Sequence, residues 1–357
     1  MHLFDPITLR AVTLRNRIGV SPMCEYSSEN GFANDWHAVH LGSRAVGGAA
    51  LVFTEAAAVS PEGRISPQDL GIYDDRHVEK LSEIVAFVHA QGAVAGMQLA
   101  HAGFKASTAA PWNGGGPVPP EDGGWAKIFA PSARPFMEGW IVPQAMTARD
   151  IAMVRDQFGA AAQRALDAGF KVIEIHAAHG YLLHEFLSPL ANARTDEYGG
   201  TFENRTRMLR EVVAAVRKVM PEALPLFVRI SASDWVEGGW TLDDSIALAR
   251  TLKTLGVDVV DCSSGGIVPH AKIEIGPGYQ VPFSRAVRAQ AGIATAAVGM
   301  ITDPQQAEGI IASGDADIVL LAREMLRQPY WPLLAASQLN QDGMSWPKQY
   351  ERARPHR

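Results

Sequence analysis

The chain has 357 residues, a formal net charge of −6, and contents of 47% hydrophobic and 20% charged residues. These values are typical of a soluble globular protein that can bury a substantial core. They exclude the basic surface expected of a nucleic-acid-binding protein and the long basic runs that bind membranes. The two cysteines, Cys24 and Cys262, are too few for a disulfide framework, so we expect both to be reduced.

The chain begins without the basic and then apolar pattern of a secretory signal peptide. No uninterrupted apolar stretch approaches the ~20 residues that a membrane-spanning helix needs. We therefore expect a cytoplasmic protein.

Apolar runs typical of strands alternate along the chain with segments of helical periodicity. The predicted strands are residues 17–22, 50–55, 93–100, 172–176, 226–231, 257–263, 295–300 and 317–322. The predicted helices are residues 35–47, 75–91, 147–168, 202–219, 242–255, 282–291 and 303–312, with a last helix from Glu324 onward. Asp75, Thr147 and Asp303 are suitable N-caps, and Pro304 suits the first turn that follows Asp303.

Strands that alternate with helices predict a parallel sheet, because a parallel connection needs a crossover. Eight such units predict an α/β fold in which residues 1–357 form one (β/α)8 TIM barrel, closed at its bottom by a hairpin over residues 7–14. An open doubly wound sheet is the alternative. That fold would typically place a glycine-rich phosphate loop after the first strand, whereas this strand ends in Ser21-Pro22-Met23-Cys24.

A segment over residues 104–145 interrupts the alternation after the third strand. It is rich in glycine and proline and contains Trp112, Trp125 and Trp140. It is either a surface loop or a lid over the site, and we favour the lid because long loops in compact domains are usually functional. Residues 340–357 are predicted to form a C-terminal tail.

In a (β/α)8 barrel the reactive groups lie at the carboxyl ends of the strands. The candidates there are Cys24, Tyr26, Glu55, Ala56, Gln98, His101, His176, His179, Tyr181, Arg229, Gly299 and Arg323. Strand alternation should point His176 and Glu174 toward the barrel axis.

The pair His176 and His179 has three interpretations. Both could be hydrogen-bonded core histidines, both could bind a metal, or both could hold an oxygen anion of a substrate. A catalytic zinc site usually needs three protein ligands, and no HExxH motif is present. We therefore favour the anion-holding pair and expect no metal. Tyr181, two residues on, is either a buried structural phenol or a proton donor.

The other candidates keep two interpretations each. Cys24 is either a small buried residue or a functional thiol, although no base that could activate it is visible. Arg229 either pairs with Glu174 or Glu55 inside the barrel or faces an anionic ring. The strand ends at Gly299 and Arg323 are either plain turns or a phosphate site.

Three segments carry a family resemblance: Ser21 to Cys24, Gln98-Leu99-Ala100-His101-Ala102-Gly103, and the stretch from His176 to Arg207. The chain resembles the Old Yellow Enzyme family of FMN-dependent ene-reductases over nearly its whole length. Cys24 is typical of the branch that contains bacterial xenobiotic reductases and thermophile-type ene-reductases.

The resemblance implies a role for each matching residue. The flavin ring would lie among Ser21, Pro22, Met23, Cys24, Ala56, Gln98 and Arg229, and the FMN phosphate would lie at Val298, Gly299, Ala322 and Arg323. His176 and His179 would hold the substrate oxygen, Tyr181 would supply the proton, and Tyr26 would line the cavity. Ala322 departs from the glycine that is common in the family.

The resemblance further implies a homodimer or homotetramer in which Arg352 reaches a neighbouring site, unless Arg352 is a solvated tail residue. The expected function is an NAD(P)H oxidoreductase, with NADPH favoured, that reduces the activated C=C bonds of enones and related nitro or xenobiotic compounds by a ping-pong mechanism. A metal-assisted barrel hydrolase and a non-enzymatic flavin-binding protein are the alternatives.

Overall fold

The structure, a computed structural model, describes residues 1–341 and 343–355. Its strands are β1 (Ile7–Leu9), β2 (Val12–Leu14), β3 (Ile18–Val20), β4 (Leu51–Ala58), β5 (Val94–Ala100), β6 (Phe129–Ala130), β7 (Gln144–Ala145), β8 (Val172–Ala177), β9 (Leu226–Ser231), β10 (Val259–Ser263), β11 (Ala294–Ala297) and β12 (Ile318–Leu321). Its α-helices are α1 (Asp35–Val46), α2 (Val78–Ala90), α3 (Ala148–Asp167), α4 (Leu182–Leu187), α5 (Phe202–Val219), α6 (Leu242–Thr254), α7 (Val281–Ala291), α8 (Pro304–Ala312), α9 (Arg323–Arg327) and α10 (Trp331–Gln338).

Eight parallel strands close into a barrel in the order β3-β4-β5-β8-β9-β10-β11-β12. Closure occurs where β12 pairs with β3, with Leu320 opposite Gly19. A Cβ on Gly19 would lie 2.5 Å from Leu320 Cδ2, so glycine is what allows this close packing. The predicted (β/α)8 barrel is confirmed, and the open sheet is excluded.

The barrel interior is apolar at its bottom. Phe53 and Phe227 meet there at a centroid distance of 5.8 Å. The hairpin of β1 and β2 covers this end with Leu9, Val12 and Leu14, which join the same buried cluster. The predicted hairpin is therefore present, and it leaves the opposite, carboxyl end of the strands for a site.

Side-chain capping explains the starts of five of the ten described α-helices, α1, α3, α5, α6 and α8. Thr147 accepts the backbone N–H of Asp150 while the Asp150 carboxylate accepts that of Thr147, a capping box before α3. Asp303 caps α8, whose first residue is Pro304. The predicted cap at Asp75 is wrong. Asp74 accepts the N–H of Arg76 at 2.9 Å and begins a 3₁₀ turn, so the α-helix starts only at Val78.

Two other predicted elements differ from the structure in extent, and one helix was not predicted. The predicted strand over 295–300 ends at Ala297, so Val298 and Gly299 lie in the loop beyond it. The helix predicted from Glu324 onward is two helices, because Pro329 disfavours helical geometry at Gln328, whose φ and ψ are −133° and 80°. Helix α4 was not predicted, since six residues are too few for a clear period.

Residues 104–145 contain three 3₁₀ turns and the short pair β6–β7 rather than a long helix or strand. Of the predicted tail, residues 342, 356 and 357 lie outside the described part of the chain. Across the helices that are described, none combines the length and the apolar character needed to cross a membrane.

Candidate active site

Two imidazoles and a phenol meet at the carboxyl end of β8. The ring of His176 lies 5.0 Å from that of His179 and 5.0 Å from that of Tyr181, measured between centroids and nearly perpendicular in both cases. The chain can place three such rings within six residues because His179 and Gly180 both adopt positive φ, at 60° and 74°. The turn thereby folds His179 and Tyr181 back over His176.

The polar atoms of the two imidazoles differ in their surroundings. His176 Nδ1 is buried and has no hydrogen-bond partner among the described residues. His179 Nε2 lies 2.6 Å from Ser263 Oγ, and its backbone N–H donates to Ser231 Oγ at 2.9 Å. Burial, and then the charge of Arg229, lowers the pKa of both histidines well below the usual value. Both rings are therefore neutral near pH 7, each with one N–H to donate.

A buried second layer fixes the turn from behind. The Gly180 N–H donates to His184 Nδ1 at 2.9 Å, and His184 Nε2 then donates to Asp234 Oδ1 at 2.9 Å. Ser188 Oγ donates to the other oxygen of Asp234 at 2.6 Å. His184 and Asp234 were not among the predicted site residues. The sequence signal that could have identified His184 was its position four residues after Gly180, which is within reach of the Gly180 backbone N–H.

Tyr181 and Cys24 pack against one small apolar cluster formed by Ile65, Ala102, Ala106 and Ile128. Burial, and then Cys24, raises the pKa of Tyr181 well above its usual value, so its phenol keeps its proton at neutral pH. Burial, and then Asp69, likewise raises the pKa of the Cys24 thiol. Cys24 therefore lacks the thiolate character of an activated nucleophile.

A charged and polar layer crosses the barrel below these rings. Arg229 Nε lies 3.0 Å from Asp261 Oδ2, and Gln98 Nε2 donates to Glu174 Oε1 at 2.8 Å. Of the two interpretations of Arg229, pairing inside the barrel occurs with Asp261 on the neighbouring strand β10 rather than with Glu174 or Glu55.

Both predicted interior glutamates are buried, but they lie apart in separate contacts. Glu55 is 3.1 Å from His37 Nε2 on α1. Burial, and then the carboxylate of Asp261, raises the pKa of Glu174. Glu174 therefore tends to stay protonated and uncharged, which reduces the negative charge of this layer.

A cavity of about 410 Å³ opens beside this layer, at the ends of β11 and β12. Its walls include five predicted cofactor residues: Arg229, Val298, Gly299, Ala322 and Arg323.

Gly299 has φ of 120°, and a Cβ there would lie 2.8 Å from Gln280 Nε2. Ala322 has a negative φ of −101°, so no left-handed backbone requires a glycine at this position. Three arginines, Arg229, Arg323 and Arg327, line this cavity. Guanidinium groups in one pocket suit an anion such as the FMN phosphate.

The remaining predicted residues lie as follows. Ser21 Oγ is buried without a hydrogen-bond partner in the described part of the chain, and Ala56 is buried opposite Gln98 in the β4–β5 pairing. Pro22 and Met23 are half-buried in the loop after β3. Tyr26 is half-buried, two residues after Cys24, and Arg352 lies in an exposed 3₁₀ segment, Lys348–Ala353. The unpaired polar atoms of Ser21, Glu174 and His176 and the glycine cradle at Gly299 fit a polar, phosphate-bearing ring cofactor.

A closed barrel with a cationic pocket, unpaired polar atoms and a neutral His–His–Tyr cluster fits the site of a flavin-dependent oxidoreductase. Residues 2–342 match the model of the NADH:flavin oxidoreductase / NADH oxidase family, and the chain belongs to that family. It is 51% identical over 352 residues to an NADPH dehydrogenase of Geobacillus sp. (strain WCH70) and 49% identical to one of Bacillus subtilis (strain 168), each match covering 98% of both chains.

Solved structures agree with the fold. A structure of morphinone reductase in complex with tetrahydroNAD superposes with a TM-score of 0.78 at 25% identity and covers 95% of this chain and 91% of that one. A 2-naphthoyl-CoA reductase superposes with a TM-score of 0.85 at 25% identity. The chain spans about half of that larger reductase, 52% of its length.

These comparisons confirm the predicted family, the Old Yellow Enzymes, and the predicted FMN-dependent NAD(P)H ene-reductase activity. They give no support to a barrel hydrolase or to a non-enzymatic flavin-binding protein.

Proposed function

We propose that the physiological substrates are enones and related nitro or xenobiotic compounds, held by His176 and His179 and protonated by Tyr181. The observation that carries this proposal is the buried His176 Nδ1, unpartnered among the described residues and next to the ring of His179. A substrate carbonyl or nitro oxygen would satisfy that atom. N–H donors directed at a developing oxygen anion contribute about 3–4 kcal/mol to catalysis.

Tyr181 is suited to give a proton to the substrate α-carbon. Its raised pKa keeps the phenol protonated near pH 7, and its ring lies against His176, so a substrate held by the histidines meets the phenol. General acid catalysis of this kind typically contributes about 10²–10⁴-fold.

The FMN ring would be held by Ser21, Pro22, Met23, Cys24, Ala56, Gln98 and Arg229, and its phosphate by Val298, Gly299, Ala322 and Arg323. When bound, FMN supplies the hydride chemistry that links the nicotinamide, for which we favour NADPH, to the substrate. The chain's own contribution is to place a cation, Arg229, against the ring and to keep neutral groups above it.

Residues 104–145 would form a lid over the cavity that Tyr26 lines. Trp112 in this segment meets Tyr26 edge-on at a centroid distance of 5.4 Å, although 69% of its surface is exposed. Trp125 packs against the same cluster as Cys24 and Tyr181. The segment thus reaches the substrate side of the site from two directions.

We further propose a cytoplasmic homodimer or homotetramer. An apolar groove of about 450 Å³ on α1 and α2 is partly walled by Val39, Phe87 and Tyr350, which are 67%, 48% and 44% exposed. Lys80 and Glu83 line the same groove and pair with each other within the chain at 3.2 Å, so the apolar wall is the surface that a second copy related by a two-fold axis would cover. Arg352 lies two residues beyond Tyr350, so a second copy at this face would bring the neighbouring Arg352 close to its surface.

The function is tested by anaerobic stopped-flow of the FMN-loaded protein. NADPH should abolish the flavin absorbance band at about 450 nm, and an enone should restore that absorbance. Initial rates at varied NADPH and enone should give parallel double-reciprocal lines, because one pocket serves both substrates in turn. Reduction by NADPH without reoxidation by any enone or nitro compound in a panel would contradict the proposed substrate class.

A further inference from the structure

The ammonium of Lys105 joins three loops at the carboxyl end of the barrel. Lys105 lies just after β5, and its Nζ donates to the carbonyl of His179 at 2.7 Å and to the carbonyl of Gly266 at 2.5 Å. Those carbonyls belong to the loops after β8 and β10. The chemistry proposed above assigns this side chain no role.

The two loops that Lys105 joins are in direct backbone contact. A Cβ on Gly180 would lie 2.1 Å from the Gly266 carbonyl oxygen, and a Cβ on Gly266 would lie 2.6 Å from the His179 carbonyl carbon. The carbonyls of His179 and Gly266 converge on a single point, where their dipoles repel unless a donor lies between them. Lys105 is that donor.

The conformation held in this way is an unfavourable one. His179 adopts φ of 60°, a region that costs a non-glycine residue about 1–2 kcal/mol. Two contacts hold its backbone there: Ser231 Oγ accepts the N–H, and Lys105 holds the carbonyl. Fixing both peptide groups of one residue fixes the direction of its side chain.

We propose that Lys105 is a positioning residue, which holds the left-handed turn of His179 and thereby sets the place of its imidazole against the substrate oxygen. The proposal rests on the proposed function, since it concerns the geometry of the same His176–His179 pair. It predicts that substrate binding depends on the ammonium even though the ammonium does not touch the substrate.

The surroundings of Lys105 make this dependence measurable. Its Nζ lies 4.3 Å from the ring centroid of Phe136 and 5.7 Å from that of Tyr181. Burial lowers the pKa of Lys105 to about 8, while Glu185 acts in the opposite direction. The ammonium should therefore lose its proton a little above neutral pH, and the neutral amine should hold the two carbonyls less well.

The other titratable groups that face Lys105 are Glu185, His176, His179 and Tyr181. The histidines stay neutral, because their pKa values are lowered well below the usual value, and the Tyr181 phenol stays protonated, because its pKa is raised. Burial raises the pKa of Glu185 well above the usual value, so its carboxyl could also titrate. Repeating the pH series on Glu185→Gln separates the two.

The experiment uses FMN-loaded protein that is reduced chemically and mixed with a range of 2-cyclohexenone concentrations in a stopped-flow instrument, so that nicotinamide binding plays no part. The limiting rate of flavin reoxidation and the half-saturating enone concentration are the kcat and KM of this half-reaction. Lys105→Met should lower kcat/KM for the enone by on the order of 10²-fold, mainly through KM, with the FMN spectrum retained. Lys127→Met is the matched control. Lys127 is an exposed lysine in the same segment whose Nζ lies 4.8 Å from the ring centroid of Phe129.

In the wild type and in Glu185→Gln, KM for cyclohexenone should rise between about pH 7 and about pH 9.5, as Lys105 loses its proton. A flat KM in the wild type overturns the proposal without any variant, as does a Lys105→Met protein that keeps the wild-type kcat/KM. A wild type that binds FMN but reoxidises with no enone would instead contradict the proposed function.

Discussion

The imidazole of His176 lies edge-on to the phenol ring of Tyr181, with 5.0 Å between centroids and 78° between planes. In the proposed function, a ligand that accepts a hydrogen bond from His176 Nδ1 would lie beside the phenol, because the two rings are in contact. Binding of the oxygen and delivery of the proton would then belong to two adjacent side chains, and each can be removed alone.

Tyr181→Phe should slow reoxidation by an enone by on the order of 10²–10⁴-fold and leave reduction by NADPH unchanged, because only the enone step needs a proton from the protein. Stopped-flow of the two half-reactions measures both rates. Tyr198→Phe is the control, since that phenol contacts Glu211 on α5. Equal losses in both half-reactions would remove the proposed role of Tyr181 as proton donor.

His176→Ala should weaken phenol binding by on the order of 10²–10³-fold, because a phenolate oxygen loses one of its two N–H donors. Phenol titration, followed through the flavin spectrum, gives the Kd. His270→Ala, at an exposed position, should leave that Kd unchanged. An unaltered Kd in His176→Ala would show that the buried Nδ1 does not meet the ligand oxygen.

Local signals explain why most of the fold could be predicted from the sequence. Strand β9 and helix α5 were predicted to the residue. The apolar run of β9, and the helical period of α5 with its N-cap Thr201, are signals that lie within each segment. His176, His179 and Tyr181 were recognised together as candidates for the same reason: they lie within six consecutive residues at the end of one strand.

The contacts that the sequence did not reveal join segments far apart in the chain. Asp261 pairs with Arg229 across two neighbouring strands, and Lys105 holds the backbone carbonyls of His179 and Gly266. A backbone carbonyl has no sequence signature, and several carboxylates could have met Arg229. Such partners become identifiable only once the barrel register is known.

Arg229→Met should destabilise the FMN-free protein by about 3–5 kcal/mol, because Asp261 is left buried without a cation. Urea unfolding measures the loss. Burial raises the pKa of Asp261 to about 6 even beside Arg229, and without that cation the pKa rises further, so the stability lost relative to the wild type should grow as the pH rises above about 6 and shrink below it. Arg229→Met/Asp261→Asn should recover much of the stability, and a double variant no more stable than the single one would contradict the buried pair.

Trp112→Ala should raise KM for cyclic enones by about 2–12-fold, the fold-change that corresponds to the free energy of one aromatic contact. KM for a small acyclic enone should stay unchanged. The reason is that Trp112 extends the aromatic wall that Tyr26 begins. Trp140→Ala is the matched control in the same segment, because that indole contacts Phe136 instead. Equal KM changes for ring and acyclic substrates would contradict the role of Trp112 in shaping the cavity.

Gly299→Ala should weaken FMN binding by on the order of 10-fold or more, because φ of 120° is unfavourable for alanine and the new Cβ would lie 2.8 Å from Gln280 Nε2. Gln280 Nε2 donates to the Val298 carbonyl at 3.0 Å, so relieving the clash would disturb the wall of the cationic pocket. Fluorescence titration of the apoprotein with FMN gives the Kd.

Gly309→Ala is the matched control, because Gly309 lies within α8 and its new Cβ would have nothing within 4 Å. This variant should keep the wild-type affinity for FMN and stabilise the helix by about 1 kcal/mol. Equal FMN affinity in the two variants would show that the Gly299 loop does not form the phosphate cradle.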